Sequence, residues 1–414
     1  MSERPVLLLV DGWPLSFCRH VIRRDDVDLV LLRFAAHRAL FPDSYLDETA
    51  HLPAFWVRDD VPLAEEVARY HDMTARIGRR PTFFCNPSEP AQEIAHDFAR
   101  RAGLPHLTEQ QVRWVRNKAA MKDRFRELGL ATADHRVVAT TAEVKEFGRS
   151  HGWPVVVKPV DSFACIDTFL VRDDRDVDRL DLAPARSWMV EEYVGGQEWE
   201  NCALVLDGAV LDVWPSAMPA RPLSIVDGAI NANISLGSGE GPDVDLRGLT
   251  QRIVTGMGLD HGYLHMEFFV DRGRVLVGEV GLRLAGCEIP ANHGHAYGFD
   301  VFAATLDVYL GRRPDLAYRS RRCVGDLLLP LPESGRVNHI TGEEELLAMP
   351  GVIEAVLRHG PGDVVTARRM SHNSAGYAHV AGESAEEVER RMRQVLDRFR
   401  IDIEPVGPPA VAAR

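Results

Sequence analysis

The stretch that most constrains the fold runs from residue 263 to residue 286 and reads YLHMEFFVDRGRVLVGEVGLRLAG. Apolar residues alternate with others on both sides of a short turn that contains glycine, which is the pattern of two antiparallel strands. We expect a loop from Arg272 to Arg274, so that Asp271 pairs with Val275 across the ladder. Because side chains of a strand alternate between two faces, this register decides which residues lie together.

In this register two carboxylates face each other on one side of the hairpin. Glu267 lies directly opposite Glu279, and like charges at opposite positions destabilise a ladder. A hard divalent cation with oxygen ligands removes that conflict. Arg283 follows four residues after Glu279 and offers a planar cation suited to phosphate or carboxylate oxygens. The spacing indicates a metal and phosphate site, and a solvated hairpin whose charges pair with nearby arginines is the alternative.

The composition is that of an ordinary globular protein, with 414 residues, of which 45% are apolar and 26% charged. Domains of roughly 100 to 200 residues predict about two to four of them in this chain. The net charge of -13 argues against nucleic-acid and anionic-membrane partners, because those contacts depend on a basic face. No run reaches the ~18 apolar residues of a membrane span and no signal peptide is evident, so we expect a cytoplasmic protein. The six scattered cysteines are expected to be mostly buried thiols.

Residues 1–112 alternate short apolar runs with helical stretches. The runs Val6 to Val10 and Val27 to Leu32 are almost continuously apolar, as in parallel strands that are covered on both faces. Residues 64–77 and 90–102 have helical periodicity. The pattern predicts a small doubly wound α/β domain, although its first loop lacks the spaced glycines of a dinucleotide-binding fingerprint.

Two lysines stand out further along the chain. Residues 108–130 predict one helix with Thr108 as its cap. Its Lys118 is one of several basic residues, so a solvated helix face is the alternative to a ligand contact. Lys158 ends the apolar strand of residues 153–159, and a lysine in such a strand needs a partner or a function.

Two connections between strands offer free backbone groups. Residues 160–171 join two strands through small and polar residues, and such a hairpin can present backbone N–H groups to phosphate oxygens. Residues 188–207 form a strand, a bend at Gly195 and Gly196, and a second strand, so the bend can bind the edge of a ligand. An ordinary connection between strands is the alternative in both cases.

Taken in order, these motifs resemble those of the ATP-grasp ligases over residues 5–405. The resemblance implies an ATP-grasp fold of the α/β (α+β) class, with an N-terminal doubly wound α/β domain and a C-terminal β-rich domain. It divides the chain into an N-terminal α/β domain (1–112), an ATP-grasp domain (113–316) and a small β-rich domain (317–405). The nucleotide lid of the ATP-grasp domain is expected at about residues 140–205. Residues 406–414 are expected to be a disordered tail.

The resemblance also implies a role for each site residue. The residues expected to contact ATP are Lys118, Lys158, Ser162, Ala164, Cys165, Glu191, Glu192, Tyr193, Val194 and Glu198. Among these, the main chain of Glu191 and Val194 is expected to bind adenine, and Glu198 to bind the ribose. Glu267 and Glu279 are expected to bind Mg²⁺ or Mn²⁺, and together with Arg283 they form the expected catalytic group.

Gly286 and Cys287 follow Arg283 and are expected to line the substrate pocket with it. The chain departs from the family in two places. Gly281 stands where relatives commonly have an asparagine that serves as a third metal ligand, and glycine has no side chain to offer. The segment after Lys158 is poor in glycine where relatives often carry several.

The segment 215–243 is rich in turn residues and is expected to form a loop near the substrate cleft. Asn231 and Asn233 within it are expected to be turn or strand-edge residues, and contact with a substrate is the alternative. His293 and His295 are expected at a helix terminus or on the surface.

The resemblance implies a reaction in which ATP converts a carboxylate to an acyl phosphate, and an amine then displaces phosphate to give an amide and ADP. The expected substrates are a small carboxylic or amino acid and an amino compound, and a homodimer is expected because related ligases are often dimers. Two alternatives stay open. One is a carboxylase or formate-using ligase of nucleotide biosynthesis, and the other is a non-catalytic nucleotide-binding regulator.

Overall fold

The computed structural model describes residues 4–225 and 227–406, so the predicted tail from residue 407 onwards lies outside the described residues. The first sheet consists of β1 (Val6–Val10), β2 (Asp28–Phe34), β3 (Ala54–Val57) and β4 (Phe83–Cys85). Its strands are parallel and lie in the order β3-β2-β1-β4. The helices of this region are α1 (Leu15–Ile22), α2 (Asp43–Glu48), α3 (Leu63–Ile77) and α4 (Gln92–Ala102).

Both faces of this parallel sheet are covered, which explains the continuous apolar runs of its strands. Leu7 and Leu9 of β1 pack in one core with Phe17 of α1. Leu8, which points to the opposite face, packs in a second core with Phe98 of α4. The predicted doubly wound α/β architecture is confirmed.

The single helix predicted for residues 108–130 is wrong, because the structure has two helices there, α5 (Glu109–Arg116) and α6 (Lys118–Glu127). Thr108 caps α5 as predicted, but Asn117 takes an extended conformation and caps α6 with its side chain. A short polar side chain that hydrogen-bonds the nearby backbone competes with helical bonding, so it can divide one helix into two. The division makes Lys118 the first residue of α6.

A four-stranded antiparallel sheet follows, with β5 (His135–Val138), β6 (Val155–Pro159), β7 (Phe169–Val171) and β8 (Trp188–Glu192) in the order β5-β8-β6-β7. Helices α7 (Thr141–His151) and α8 (Asp174–Val177) pack against it. Strands β6 and β7 form the predicted hairpin, and we call its loop, residues 160–168, the flap. The flap contains no glycine, and Ala164, Cys165 and Asp167 take the positive φ angles (50°, 56° and 55°) that glycine usually supplies.

The next strands are β9 (Gln197–Leu206), β10 (Ala209–Ala217), β11 (Ala232–Ser235), β12 (Gly262–Asp271), β13 (Arg274–Gly281) and β14 (Cys323–Pro330). The helices among them are α9 (Pro222–Ile225), α10 (Leu246–Met257), α11 (Ile289–Tyr297) and α12 (Val301–Tyr309). The C-terminal strands are β15 (Gly335–Ile340), β16 (Val352–Leu357), β17 (Val364–Val365), β18 (Ser374–Gly382) and β19 (Ile401–Glu404). They are accompanied by α13 (Glu343–Leu347) and α14 (Ala385–Arg398).

Eight of these strands form one antiparallel sheet in the order β13-β12-β9-β10-β11-β14-β18-β16. Ala203 and Val205 of β9 pack against Ile253 of α10 on one face. Cys202 and Leu204, on the opposite face, belong to the core that contains α11 and α12. The β-rich C-terminal region therefore continues the sheet that carries the predicted metal hairpin, and the domain boundaries stay a prediction.

The turn of the β12–β13 hairpin differs from the prediction. Asp271 pairs with Arg274 rather than with Val275. Arg272 and Gly273 both have positive φ angles (50° and 77°), as in the tight two-residue turns that match the twist of a hairpin. The predicted three-residue loop is therefore one residue too long.

A β-bulge compensates for this shorter turn. Phe268 pairs with Val277, whereas the preceding Glu267 pairs with Glu279, so Gly278 is the extra residue on β13. The bulge restores the register that the longer loop would have given. The predicted opposition of Glu267 and Glu279 is thus confirmed, although for a different reason.

Candidate functional site

One cavity of about 930 Å³ lies between the flap, the eight-stranded sheet and the segment that follows Arg283. Every site residue predicted from the sequence lines it: Lys118, Lys158, Ser162, Ala164, Cys165, Glu191, Glu192, Tyr193, Val194, Glu198, Glu267, Glu279, Arg283, Gly286 and Cys287. Asn231 and Asn233 line it as well. These residues come from strands and loops that are distant in sequence, so the fold assembles the site, and their individual roles stay predictions.

The lysine end of the cavity contains Lys118, Lys122 and Lys158 together with Glu191. The carboxylate of Glu191 pairs with both Lys158 (Nζ–Oε1 2.6 Å) and Lys122 (Nζ–Oε2 3.0 Å). Burial raises the pKa of Glu191, but the positive charges of Lys122 and Lys158 outweigh it and lower this pKa to about 2. The sequence predicted that Lys158 needs a partner or a function, and the carboxylate of Glu191 is that partner.

Lys122 is a residue that the sequence reasoning missed. It lies four residues after Lys118 on α6, and its Nζ donates to Thr132 Oγ1 and to the Gly278 carbonyl, at 3.2 Å each. Burial lowers the pKa of its ammonium group despite the nearby Glu191. The four-residue spacing places both lysines on one helix face, and this signal was visible in the sequence.

Lys118 connects the carboxylate pair to the flap rather than lying on a solvated helix face. Its Nζ is 3.2 Å from Glu279 Oε1 and also donates to the Ser162 carbonyl. Its backbone N–H donates to the Val160 carbonyl at 2.7 Å. Because only 7% of the side chain is exposed, the solvated alternative does not apply.

Three carboxylates lie in a row across β13, β12 and β9. Glu279 is opposite Glu267, and Glu267 is opposite Glu200, which the sequence reasoning missed. His265 Nε2 is 3.5 Å from Glu200 Oε1 and 4.0 Å from Glu267 Oε1. Burial and the negative charge of Glu279 raise the pKa of Glu267 to about 7. This set of hard oxygen donors in mutual repulsion fits a Mg²⁺ or Mn²⁺ ion.

Arg283 is held beside this row by Glu89, another residue that the sequence reasoning missed. Its Nε donates to Glu89 Oε2 at 2.6 Å. Burial raises the pKa of Glu89, but Arg283 and further cations lower it to about 2. A Cβ at Gly281 would lie 3.3 Å from Arg283 Nε, so the absence of a side chain there leaves room for the guanidinium.

The hinge that joins β8 to β9 is held by Arg221, which the sequence reasoning also missed. Its guanidinium donates to the Val194 carbonyl at 2.7 Å and to the Gly196 carbonyl. It lies over the Tyr193 ring at 4.9 Å from the centroid. Glu191 is paired on both sides within its sheet, so the predicted contacts of the hinge with a base stay predictions.

The remaining predicted residues of this end lie around the flap and hinge. Burial and the charge of Glu267 raise the pKa of Glu198 to about 8. Glu192 accepts the Asp134 N–H at 3.1 Å. Burial and nearby carboxylates raise the pKa of Cys165 to about 12, so it is a neutral thiol. The six cysteines are free and four of them are buried, as predicted.

The acid end of the cavity consists of Glu200, Asn233 and Asp326, with Glu288 directly behind. Asn233 lies opposite Asp326 and donates to Glu200. Asp326 Oδ2 accepts the Glu288 N–H at 3.0 Å. Burial and the charge of Glu288 raise the pKa of Asp326 to about 8. The sequence reasoning missed this end, although an aspartate inside the apolar strand CVGDLLLP was a signal.

The prediction for His293 is wrong. It is fully buried in α11, with Nε2 3.1 Å from Ser216 Oγ and Nδ1 3.3 Å from Tyr263 Oη. Burial lowers its pKa to about 3, so the ring is neutral. The helix packs on a part of the sheet that offers two hydroxyl partners, which is why a histidine is accommodated there. His295 is partly exposed and contacts Glu354 at 3.1 Å.

Comparison with known proteins shows which families the chain resembles. Residues 327–404 match the family model described as L-amino acid ligase C-terminal domain 2. The L-arginine-specific L-amino acid ligase of Bacillus subtilis is 23% identical over 301 residues, which cover 70% of this chain and 72% of that protein. The crystal structure of an L-amino acid ligase from Bacillus licheniformis has a TM-score of 0.73 at 18% identity, covering 98% of this chain and 100% of that one. The chain has the ATP-grasp fold and resembles the L-amino acid ligases.

The ATP-grasp fold predicted from the sequence is thus confirmed. The chain also resembles carboxyaminoimidazole ribonucleotide synthase from Aspergillus clavatus, solved with ATP, with a TM-score of 0.69 at 16% identity over 96% of this chain and 99% of that one. At such identities the structural likeness shows the fold and not the substrates. Within residues 4–225 and 227–406, no helix combines the length and the apolar character that a membrane crossing requires.

Proposed function

We propose that this ATP-grasp ligase joins a small carboxylic or amino acid to the amine of a second small molecule, and converts ATP to ADP and phosphate. The observation that carries the proposal is one cavity with a lysine end, a facing carboxylate pair beside Arg283, and an acid end. Cations suit an anionic nucleotide, whereas carboxylates suit an ammonium group. The match to L-amino acid ligases supports amino acids as substrates.

ATP would lie at the lysine end. Lys118 and Lys158 are buried cations that can bind phosphate oxygens, and the flap offers backbone N–H groups beside them. The main chain of Glu191 and Val194 would bind adenine, and Glu198 would bind the ribose. Closure of the flap would exclude water, which otherwise hydrolyses an activated intermediate.

Glu267 and Glu279 would hold the metal ion, since they are facing oxygen donors whose repulsion a divalent cation removes. A bound Mg²⁺ or Mn²⁺ supplies charge neutralisation at the transferring phosphoryl group. Gly281 offers no side-chain ligand, so water or a second oxygen of Glu279 would complete the coordination.

The reaction itself needs no protein nucleophile. The acid's carboxylate oxygen attacks the γ-phosphorus of ATP, which gives an acyl phosphate and ADP. Arg283, oriented by its 2.6 Å bond to Glu89, would bind the oxygens of the phosphoryl group during transfer. The amine nitrogen then attacks the acyl carbon, and phosphate leaves with the electrons of the broken C–O bond.

The alternative of a carboxylase or formate-using ligase would use the same lysine end, and the fold comparison alone is compatible with it. A nucleotide-binding regulator without catalysis has less support, because Glu267, Glu279 and Arg283 line the same cavity as the lysines. A regulator would not need an arginine and a carboxylate pair beside the nucleotide phosphates.

The test is release of ADP and phosphate from MgATP, measured with amino acids and small acids, singly and in pairs, with bicarbonate and formate included. We expect release to require an acid and an amine together and to equal the amount of amide formed. Release driven by bicarbonate or formate would favour the carboxylase alternative. Formation of AMP and pyrophosphate would contradict the acyl phosphate.

A further inference from the structure

Asp326 carries a buried oxygen atom that the protein does not satisfy. The residue is 1% exposed and lines the cavity. Its Oδ2 accepts the Glu288 N–H at 3.0 Å, whereas its buried Oδ1 has no hydrogen-bond partner among the described residues. An unpaired buried carboxylate oxygen costs free energy, so its retention at a cavity wall points to a ligand that donates to it.

In the described part of the chain, no cation forms an ion pair with Asp326. Asn233, opposite on β11, donates to Glu200 instead. His379, opposite on β18, contacts Glu354 through Nδ1 at 2.8 Å. Arg358 lies 3.5 Å from Glu288, which is itself an acid. Arg358 is the cation in these surroundings, but burial and the charge of Glu288 outweigh its effect on the pKa of Asp326. Asp326 therefore forms no ion pair among the described residues, and a ligand cation is the donor that suits its unpaired oxygen.

The acid end lies next to the segment where the acyl group would be activated. Cys287 comes four residues after Arg283, and burial and the negative charges of Asp326 and Glu200 raise the pKa of its thiol. Cys287, Gly286 and Asp326 line the same cavity as Arg283. Glu288, five residues after Arg283, donates its backbone N–H to Asp326, so a molecule bound by Asp326 lies beside the segment that follows Arg283.

We propose that Asp326 binds the ammonium group of the amine substrate and accepts its proton, so that the free amine attacks the acyl phosphate. This inference rests on the proposed function and names the substrate class of the acid end as a primary ammonium compound. Glu200, held by Asn233, contributes further negative charge to the same subsite. Asp326 is thereby a catalytic residue, because it touches the reacting nitrogen.

The proton and electron balance is complete within the reaction. An N–H bond of the ammonium breaks, and its proton goes to Asp326 Oδ1. The released lone pair of the nitrogen forms the C–N bond. The C–O bond to phosphate breaks, and phosphate leaves with the electron pair of that bond and takes the second proton from the nitrogen. With a pKa of about 8, the Asp326 carboxylate is a stronger base than that of an ordinary aspartate, so its pKa is closer to that of an amine.

Hydroxylamine gives a direct test, because it is uncharged at neutral pH and traps an acyl phosphate as a hydroxamate without a base. We compare amide and hydroxamate formation by the wild-type enzyme and by Asp326→Asn. The amide rate should fall at least ~100-fold relative to the hydroxamate rate, which is the usual size of general-base catalysis. Asp307→Asn is the matched control, since burial also raises the pKa of Asp307 but this residue does not line the cavity.

An unchanged ratio of amide to hydroxamate in Asp326→Asn would overturn this inference and leave the proposed function intact. If the wild-type enzyme formed no hydroxamate from any of the tested acids, that result would instead contradict the proposed function itself. A second measurement needs no variant. The profile of kcat/KM against pH reports groups of the ligand-free enzyme, so it should show a pKa of about 8 that is the same for amines of different basicity. The absence of a pKa common to all the amines would contradict a role for Asp326.

Discussion

The two ends of the cavity differ in whether a buried carboxylate is paired with a cation. At the lysine end, Glu191 lies between Lys122 and Lys158, and its pKa falls to about 2. At the acid end, Asp326 has no paired cation among the described residues, and burial raises its pKa to about 8. The protein itself neutralises the first carboxylate and leaves the second to its ligand. The lysine end is therefore preorganised, whereas the acid end is completed by substrate.

The largest effect is expected at Glu279, which lies between the two ends. In Glu279→Gln a charged oxygen ligand and the pairing with Lys118 are both lost, so we expect ADP formation to fall by about 10³-fold, or roughly 4 kcal/mol of transition-state stabilisation. A coupled assay of ADP release at saturating MgATP measures this. The control is Asp271→Asn on the same hairpin, which should stay near wild type. A Glu279→Gln rate within tenfold of wild type would refute the metal assignment.

The second effect tests the preorganised lysine end. Glu191→Gln leaves Lys122 buried without its charged partner, so we expect a loss of roughly 3 kcal/mol of stability at neutral pH, as for other broken buried pairs. Urea unfolding measures it. Because the pKa of Glu191 is depressed from 4.5 to about 2, its contribution is lost as pH falls through that range, and the two proteins should converge there. Equal stability at neutral pH would contradict the comparison.

The third effect has the opposite sign and tests the acid end. Asp326→Asn should stabilise the ligand-free protein by roughly 2 kcal/mol, since the amide cannot ionise and the fold no longer has to keep a buried carboxyl group protonated or bury its charge. The pKa of Asp326 is raised from 3.8 to about 8, so the wild-type fold loses stability as pH rises through that interval. The gain should therefore grow between these pH values in urea unfolding. If the variant were less stable than wild type at both ends of this pH interval, the protein itself would already supply the hydrogen-bond partners of Asp326.

The smallest effect concerns the metal site. Because burial and Glu279 raise the pKa of Glu267 to about 7, binding of Mg²⁺ should displace a proton. Metal affinity should then fall by about tenfold for each pH unit below that value, as expected for release of one proton. Calorimetric titration in buffers of different ionisation enthalpy measures the released proton. An affinity and a proton count that do not change with pH would mean that Glu267 is already ionised without metal.

The same contrast explains what the sequence could predict. The motifs of the lysine end and the carboxylate pair are local, and the register of Glu267 and Glu279 was correct only because a bulge at Gly278 offset a shorter turn. The acid end was missed because Glu200, Asn233 and Asp326 lie on strands far apart in sequence. They meet through the order β9-β10-β11-β14, which periodicity alone does not fix. The helix break at Asn117 was missed because one polar residue barely disturbs a helical pattern.

The central claim is that ATP activates a carboxylate as an acyl phosphate before the amine attacks. The most direct measurement uses an acid substrate labelled with ¹⁸O in its carboxylate, incubated with MgATP and the amine, followed by mass spectrometry of the products. We predict that one labelled oxygen appears in inorganic phosphate for each amide bond formed. Unlabelled phosphate, or label recovered in AMP, would contradict the acyl phosphate and with it the assignment of the two ends.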